Sequence, residues 1–172
     1  MSNAGDFLRT VSLSQDLERD TLEALVPLLV IKRFKAGEAV FRELDRPDAL
    51  YVVEQGRLAA SKYVSGETDI VLTRFNPADF FGEMGLFDAE PRSASVYCEA
   101  DAVLWKLDRD VFHSLINDRP EIGARICYRL VTVFIQRLRA TNEQAREAVR
   151  WGLEATGFSP SDDASSFGRR ST

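Results

Sequence analysis

The sequence predicts a mainly β domain with flanking helices, built as a sandwich or a barrel. Seven short runs between residues 28 and 108 are rich in valine, leucine, tyrosine and phenylalanine and alternate with a period of two. Turn signals such as Gln55-Gly56 separate the runs at intervals of about 8 to 12 residues, which is typical of sandwiches and barrels rather than βαβ units. Residues 80–94 are the one long interruption of this pattern.

Helical patterns lie on both sides of the strand region. Leucines at helical spacing predict a short N-terminal helix over about 14–26, with Ser14 as its cap and Pro27 as its end. A second short helix is expected over 109–117, and a long C-terminal helix follows it and runs to about residue 153. The residues that suit the cap and first turn of this long helix are Asp118, Pro120 and Glu121.

Composition and charge indicate a soluble globular domain. The chain has 172 residues, of which 45% are hydrophobic and 28% charged, and its net charge of −5 offers no global positive field to nucleic acid or an acidic membrane. Cys98 and Cys127 lie far apart in the sequence and form no metal-binding motif. We expect both to be reduced core residues in a cytoplasmic protein. The N-terminus has no signal-peptide pattern, and no apolar run approaches the roughly 20 residues of a membrane span.

Catalytic and metal chemistry are not expected. His113 is the single histidine and lies in a predicted helix, whereas metal-dependent enzymes of similar β architecture need several histidines and carboxylates. No Ser-His-Asp or Cys-His arrangement can be assembled. The sequence therefore predicts a protein that binds rather than catalyses, without a cofactor or a metal.

The apolar pattern marks the limits of one domain. We expect a flexible N-terminus over 1–13, a folded domain over 14–153 and a disordered tail over 154–172, because the tail is rich in serine, glycine and aspartate.

The long helix carries two apolar stripes. One could pack on the helix's own domain and the other on a twofold mate, so the pattern predicts a homodimer through residues 127–148. The alternative is that the helix packs twice within one chain. The first stripe, at steps of 4, 3, 4, 3, 4 and 3, consists of Cys127, Val131, Phe134, Leu138, Thr141, Ala145 and Ala148. The second consists of Ile126, Leu130 and Val133.

The interruption at 80–94 combines features that suit a phosphate attached to a sugar. Gly82 allows close backbone approach or an unusual dihedral, and Arg92 supplies a planar fork suited to phosphate. Glu83 suits a sugar hydroxyl, while Ser93 adds a hydroxyl and Ala94 a backbone amide. The alternative interpretation is a surface loop with an Arg–Glu salt bridge.

This stretch closely resembles the phosphate-binding cassette of cyclic-nucleotide-binding domains. The family pattern runs F-G-E, an aliphatic residue, Ala or Gly, Leu, a variable run and P-R-x-A-[ST]-V, and it stands here at 81–86 and 91–96. The segments FKAGEAVFRELDRPDALYVVEQGRLAAS and AVLWKLDRDVFHSLI extend the resemblance to about 14–150. One departure is LDRPD at 44–48, which replaces a common glycine turn with competent turn residues. We call residues 81–96 the cassette.

The resemblance implies an eight-stranded, jelly-roll-like β-roll with a short N-terminal helix and a long C-terminal helix. It assigns Arg92 to the cyclic phosphate, Glu83 to the ribose 2′-hydroxyl and Ser93 to the phosphate or the base. Backbone amides near Gly82, Met84 and Ala94 would complete the site. In the catabolite activator branch, polar residues of the long helix touch the base, and that role falls on Thr141 and Asn142.

The resemblance implies a stand-alone cyclic-nucleotide sensor, with cyclic AMP favoured over cyclic GMP and an unknown effector protein. Binding would be coupled to the long helix. No direct DNA binding by this chain is expected, because the tail after the long helix has few basic residues and no apolar periodicity. The alternatives are a dimerisation scaffold of the same fold that binds no nucleotide, and a regulatory subunit acting on a separate transcription or signalling partner.

Overall fold

Two four-stranded antiparallel sheets form the centre of the structure. The computed structural model describes residues 4–14, 17–65 and 68–156, and the chain divides into two compact units, Met1–Leu130 and Val131–Thr172. Both sheets lie in the first unit, which confirms the mainly β prediction. Within the described ranges the strands are β1 Val30–Phe34, β2 Ala39–Phe41, β3 Ala49–Gln55, β4 Leu58–Ser65, β5 Thr68–Phe75, β6 Phe80–Phe81, β7 Ser95–Cys98 and β8 Ala102–Asp108.

The strand order places the interrupted stretch between the two sheets. One sheet has the order β1-β8-β3-β6 and the other β2-β7-β4-β5. The cassette therefore leaves the first sheet after β6 and enters the second at β7. All seven runs predicted as strands are strands, and the eighth strand is the two-residue β6, which pairs with β3 through Tyr51 and Val52.

The core lies between the facing surfaces of the sheets. On β3, β4, β7 and β8, alternate residues belong to this core, as the period of two predicts. Phe81 stacks on Phe75 and Tyr51 with centroid distances of 4.8 and 5.5 Å. Cys98 is buried here, and burial raises the pKa of its thiol to about 11, which fits a core residue. The buried members of this cluster are Ala49, Tyr51, Val53, Leu58, Ala60, Phe75, Phe81, Val96, Cys98, Ala102 and Leu104.

In the described part of the chain, two α-helices precede the strands in the sequence, one short helix lies between β6 and β7, and two helices follow β8. The long C-terminal helix is confirmed and ends two residues beyond the predicted limit, while residues 157–172 of the expected tail lie outside the described residues. No helix within the described ranges is both long and apolar enough to cross a membrane. The helices are α1 Ala4–Thr10, α2 Arg19–Leu25, α3 Met84–Phe87, α4 Arg109–Asp118 and α5 Pro120–Ala155.

The N-terminal region differs from the sequence prediction. Part of the segment expected to be flexible forms α1, whose Leu8 is buried and whose Phe7 ring lies 5.7 Å from that of Trp105. Ser14 is not a helix cap: its buried hydroxyl donates to the carbonyl of Leu8. A helix of seven residues shows too few turns for apolar periodicity to reveal it, and its contact with β8 is a tertiary one.

The predicted N-terminal helix over 14–26 is shorter than expected. Helix α2 starts at Arg19 and is followed by a 3₁₀ turn, Val26–Leu28, which contains Pro27. Proline suits this turn because its fixed φ is close to the value required and its missing N–H is not needed at the first position.

Helix α5 has a buried stripe at its start and exposed apolar residues further along. Ile126 and Leu130 of the predicted second stripe are buried in the first unit. In the other stripe, Cys127 and Phe134 are half-buried, and the remaining members are exposed: Val131, Leu138, Thr141, Ala145 and Ala148. The large apolar side chains exposed on α5 are Tyr128, Val131, Ile135, Leu138, Val149, Trp151 and Leu153.

Candidate functional site

The cassette begins with a sharp backbone turn after β6. Gly82 has φ = +78°, a left-handed conformation that glycine adopts without a steric penalty. Glu83 then precedes the single turn α3, in which the amide of Leu86 donates to the carbonyl of Glu83 at 3.1 Å. The turn ends at Asp88, whose backbone is extended and leads towards Arg92.

The guanidinium of Arg92 is buried and held by three hydrogen bonds. Its side chain is 4% exposed. Nη1 donates to the carbonyl of Gly82 at 3.1 Å, and Nη2 donates to Asp48 Oδ1 and to the carbonyl of Ala49, both at 2.9 Å. The Phe41 ring covers the guanidinium, with Cζ 4.1 Å from the ring centroid, in a cation–π arrangement.

The Nε nitrogen of Arg92 is the one that makes none of these hydrogen bonds. Nε is buried and, among the residues that the structure describes, finds no hydrogen-bond acceptor. Leaving a buried donor without a partner costs about 1–3 kcal/mol, and more for a charged group. The site therefore contains a buried cationic donor that an anionic oxygen could satisfy.

Two glycines of the cassette make room for the guanidinium. A Cβ on Gly82 would lie 2.9 Å from Arg92 Nη1 and 2.9 Å from the carbonyl oxygen of Ala49. A Cβ on Gly85 would lie 3.0 Å from the same Nη1 and 2.9 Å from the Pro47 side chain. The close approach and the unusual dihedral expected at Gly82 are both present, and Gly85 is required for the same packing.

A loop between β2 and β3 fixes the backbone of the cassette. The amide of Leu44 donates to the carbonyl of Arg92 and the amide of Arg92 donates to the carbonyl of Asp45, both at 2.9 Å. The hydroxyl of Ser95 accepts from the amide of Glu43 at 2.9 Å. Leu44 has φ = +70° in the LDRPD segment that replaces the family's glycine turn, so the chain holds a non-glycine residue in a left-handed conformation here.

Asp48 connects Arg92 to a second cation. Its Oδ1 accepts from Arg92 and its Oδ2 lies 2.9 Å from Lys106 Nζ, which in turn lies 2.6 Å from Asp108 Oδ1. Partial burial would raise the pKa of the Asp48 carboxyl, but the hydrogen bonds from Lys106 and Arg92 outweigh it, so the pKa is lowered. For Lys106, burial acts to lower the pKa, yet Asp108 and Asp48 raise it above its ordinary value.

The structure brings some predicted site residues together around Arg92. Gly82 contacts its guanidinium directly, and Glu83, beside Gly82 in sequence, is 6% exposed. Ser93 is exposed and Ala94 half-buried. Arg92 is buried and is paired with Asp48, so the alternative of a surface loop with an Arg–Glu salt bridge is wrong.

The remaining predicted residues are exposed. Met84 is 58% exposed on α3. Thr141 and Asn142 are exposed on the part of α5 that lies in the second unit, and the Thr141 hydroxyl donates to the carbonyl of Arg137 at 3.0 Å.

Sequence reasoning missed Phe41, Asp48 and Lys106 as parts of the site. Asp48 reads as a turn residue, and it meets Arg92 across 44 positions of sequence. No spacing rule links such distant residues, since the pairing depends on how β3 and the cassette pack. Within the described ranges, no group of three or more histidine, cysteine, aspartate or glutamate side chains is placed to hold a metal ion.

Comparison with known proteins places this arrangement in a family. Residues 31–119 match the family model described as the cyclic nucleotide-binding domain. That range contains the cassette and Phe41, Asp48 and Lys106, so the residues around Arg92 all fall within the match.

Two curated relatives and one solved structure illustrate the similarity. The chain is 31% identical to the CRP-like cAMP-activated global transcriptional regulator of Mycobacterium tuberculosis, over 84% of this chain and 62% of that protein. It is 31% identical to a cGMP-dependent protein kinase of Caenorhabditis elegans, over 66% of this chain and 15% of that protein. The chain thus spans less than two thirds of either relative.

The solved structure is the co-crystal structure of the regulatory domain of Toxoplasma gondii PKA with cAMP. It superposes with a TM-score of 0.60 and 32% sequence identity, covering 67% of this chain and 44% of that chain. The similarity therefore holds in sequence and in fold.

The Asp48 network predicts a pH-dependent contribution to stability. Because the folded-state pKa of Asp48 is lowered, its contribution is present above the unfolded pKa of about 3.9 and is lost as the pH falls below it. We expect Asp48→Asn to lower the free energy of unfolding by about 1 kcal/mol at pH 7, since the carboxylate is half-exposed and screened. The difference between the two proteins should shrink towards pH 3. Urea titrations at pH 7, 5 and 3 would measure it, and a pH-independent difference would contradict the prediction.

Proposed function

The chain belongs to the cyclic nucleotide-binding domain family, and from this premise we propose that it is a sensor whose cassette binds the phosphate of a cyclic nucleotide. The proposed activity is binding and not catalysis: the ligand enters and leaves chemically unchanged. A ligand can shift the protein between two arrangements only by its differential affinity for them.

The observation that supports this proposal best is the Nε donor of Arg92. The guanidinium is buried, both of its Nη atoms make hydrogen bonds, and Nε has no acceptor in the described part of the chain. A phosphate oxygen placed against Nε would accept a charge-assisted hydrogen bond, which is about twice as strong as a neutral one. The phosphate would also bring the negative charge that a buried cation favours.

The other cassette residues have roles that follow from the family. We propose Glu83 as the acceptor for the ribose 2′-hydroxyl, and its burial beside Gly82 is consistent with a role inside the site. Backbone amides near Gly82, Met84 and Ala94 would surround the phosphate, with Ser93 at the phosphate or the base. Glu83 would accept this hydrogen bond from a neutral hydroxyl, so it would recognise the sugar and not the charge of the phosphate.

We propose cyclic AMP as the preferred ligand. The supporting observations are the cAMP-activated regulator among its relatives and the cAMP-bound solved structure. Thr141 and Asn142 would supply the polar contacts to the base. The cGMP-dependent kinase among the relatives makes cyclic GMP the competitor to test.

The proposed output passes through α5 and a second copy of the chain. Val131, Ile135 and Leu138 form an exposed apolar stripe with heptad-like spacing, which a twofold mate could cover. We propose a homodimer through residues 127–148 that signals to a separate effector protein. The nucleotide would bias the geometry of α5, and the effector would respond to that geometry.

Removing Arg92 should weaken nucleotide binding by well over tenfold. Arg92→Ala deletes the only proposed cationic contact to the phosphate and leaves Asp48 with Lys106 alone. Arg92→Lys should rescue binding only in part. An ammonium has three N–H groups, so it cannot replace the three hydrogen bonds of the guanidinium and also donate to the phosphate. Titration calorimetry with cyclic AMP and cyclic GMP would measure the affinities.

Arg19→Ala is the matched control for this prediction. It removes an exposed guanidinium that pairs with Glu23 on α2, and it should leave the affinity unchanged. Circular dichroism would verify that each variant is folded. Unchanged affinity in folded Arg92→Ala would contradict the assignment of the site. A wild-type protein that binds neither nucleotide would favour the dimerisation scaffold instead.

The stripe on α5 predicts that a charge at Leu138 separates the dimer. Leu138 is 61% exposed, so Leu138→Glu should leave the fold intact while placing a carboxylate against its symmetry mate. Gln136→Glu adds the same charge at an exposed position outside the stripe and is the matched control. Sedimentation should show a monomer for the first variant and a dimer for the second. A dimer that survives Leu138→Glu would refute an interface at this stripe.

A further inference from the structure

Lys106 has an unusual position for a lysine. It lies on β8, opposite Val30 on one side and Tyr51 on the other, and its side chain is only 17% exposed. Its ammonium contacts two carboxylates, Asp48 at 2.9 Å and Asp108 at 2.6 Å. A largely buried lysine with two anionic partners is held in place more firmly than an exposed one, because its ammonium has less access to water.

The two cations share one carboxylate. Asp48 presents Oδ1 to Arg92 and Oδ2 to Lys106, so the single negative charge of this carboxylate is shared between two cations. The backbone of Asp48 is also fixed, since its carbonyl accepts from the amide of Arg109 at 2.8 Å. Its carboxylate therefore cannot move far without breaking contacts at both ends.

We infer that Lys106 is a positioning residue that sets the affinity of Arg92 for an anionic ligand by neutralising Asp48. The inference rests on the proposed function, because it concerns how tightly Arg92 can bind a phosphate. Lys106 does not need to touch the ligand in this account. It acts through the carboxylate that it shares with Arg92.

The physical basis is the charge balance around the ligand. Arg92, Lys106, Asp48 and Asp108 sum to zero, so an incoming phosphate anion meets no net negative charge from this group. Without Lys106 the sum becomes −1, and among the residues that the structure describes Asp48 keeps Arg92 as its ion-pair partner. The attraction between Asp48 and the guanidinium of Arg92 then rises. The repulsion between Asp48 and the phosphate is no longer offset by the charge of Lys106.

The effect should appear as a loss of nucleotide affinity. Lys106→Met keeps most of the side-chain volume and removes the charge. We expect it to weaken cyclic AMP binding about fivefold, the size typical of a partly screened ion pair. Lys106→Arg keeps a cation at the position and should restore most of the affinity.

A double-mutant cycle separates this role from a merely structural one. If Lys106 acts mainly through Asp48, then Lys106→Met should weaken binding by a clearly smaller factor once Asp48→Asn has removed the shared charge. A lysine that touched the nucleotide directly would still matter in the Asp48→Asn background. If the loss of Lys106 simply disturbed the site, Lys106→Met would likewise weaken binding by the same factor in the Asp48→Asn background.

The experiment is titration calorimetry of cyclic AMP with the full chain and five variants: Lys106→Met, Lys106→Arg, Asp48→Asn, the Asp48→Asn/Lys106→Met double variant and Lys35→Met. Lys35→Met changes the net charge equally but removes an exposed lysine whose partner is Asp101, so its affinity should equal that of the wild type. Urea unfolding of each variant would show which of them are folded.

The outcomes distinguish the inference from the function on which it rests. A wild-type protein without measurable cyclic AMP binding overturns the proposed function and this inference with it. Normal binding by the wild type and by folded Lys106→Met overturns the inference alone. A loss that persists undiminished in the Asp48→Asn background also overturns it. A loss in Lys106→Met that is rescued by arginine and clearly smaller in the Asp48→Asn background supports it.

Discussion

The guanidinium of Arg92 is a cation held almost out of water, and the segments around it accept three hydrogen bonds from its two Nη atoms. Burying an isolated charge is very costly, so such a group needs paired charges and hydrogen bonds in fixed positions. Here they come from two separate places in the chain: the carbonyl of Gly82, and the carboxylate of Asp48 with the carbonyl of its neighbour Ala49. Phe41 covers the face of the guanidinium. The relative positions of the cassette and the start of β3 are thereby tied to one side chain.

This arrangement prepares one donor for a ligand. Because the Nη groups are fixed, the direction of the Nε–H bond is fixed too, and little side-chain freedom remains to be lost on binding. The same packing explains both glycines of the cassette, since a Cβ on Gly82 or Gly85 would press on Nη1. Asp48 helps to orient the guanidinium yet opposes the charge of the ligand. Its second cation, Lys106, relieves that opposition in our account.

The elements that could be predicted from sequence are those whose signal is local. The period of two along β3 and β8 reflects burial between facing sheets, and the start of α5 shows in Pro120 and Glu121. Features that depend on tertiary contact could not be predicted. Helix α1 has seven residues and is packed through Phe7 on a strand about a hundred positions away.

In the candidate site, too, the residues of one contiguous motif could be predicted, and those brought together by tertiary packing could not. The contiguous motif pointed to Gly82, Glu83 and Arg92, and the structure places Gly82 against the guanidinium. Asp48 resembled an ordinary turn residue, because a single carboxylate after a proline carries no sign of a partner 44 residues away. In the predicted stripe of α5, Val131 and Leu138 are exposed but Phe134 is half-buried, and only packing shows which of the neighbours Phe134 and Ile135 is covered.

The central claim is that Arg92 Nε is the donor that receives the phosphate, and nitrogen-15 NMR of the arginine side chains tests it directly. Cyclic AMP should shift the Arg92 Nε–H resonance downfield and slow its exchange with water, because a charge-assisted hydrogen bond replaces an unmet donor. Adenosine, which has no phosphate, should do neither. An Nε–H resonance that is unchanged when the protein is saturated with cyclic AMP would contradict the account.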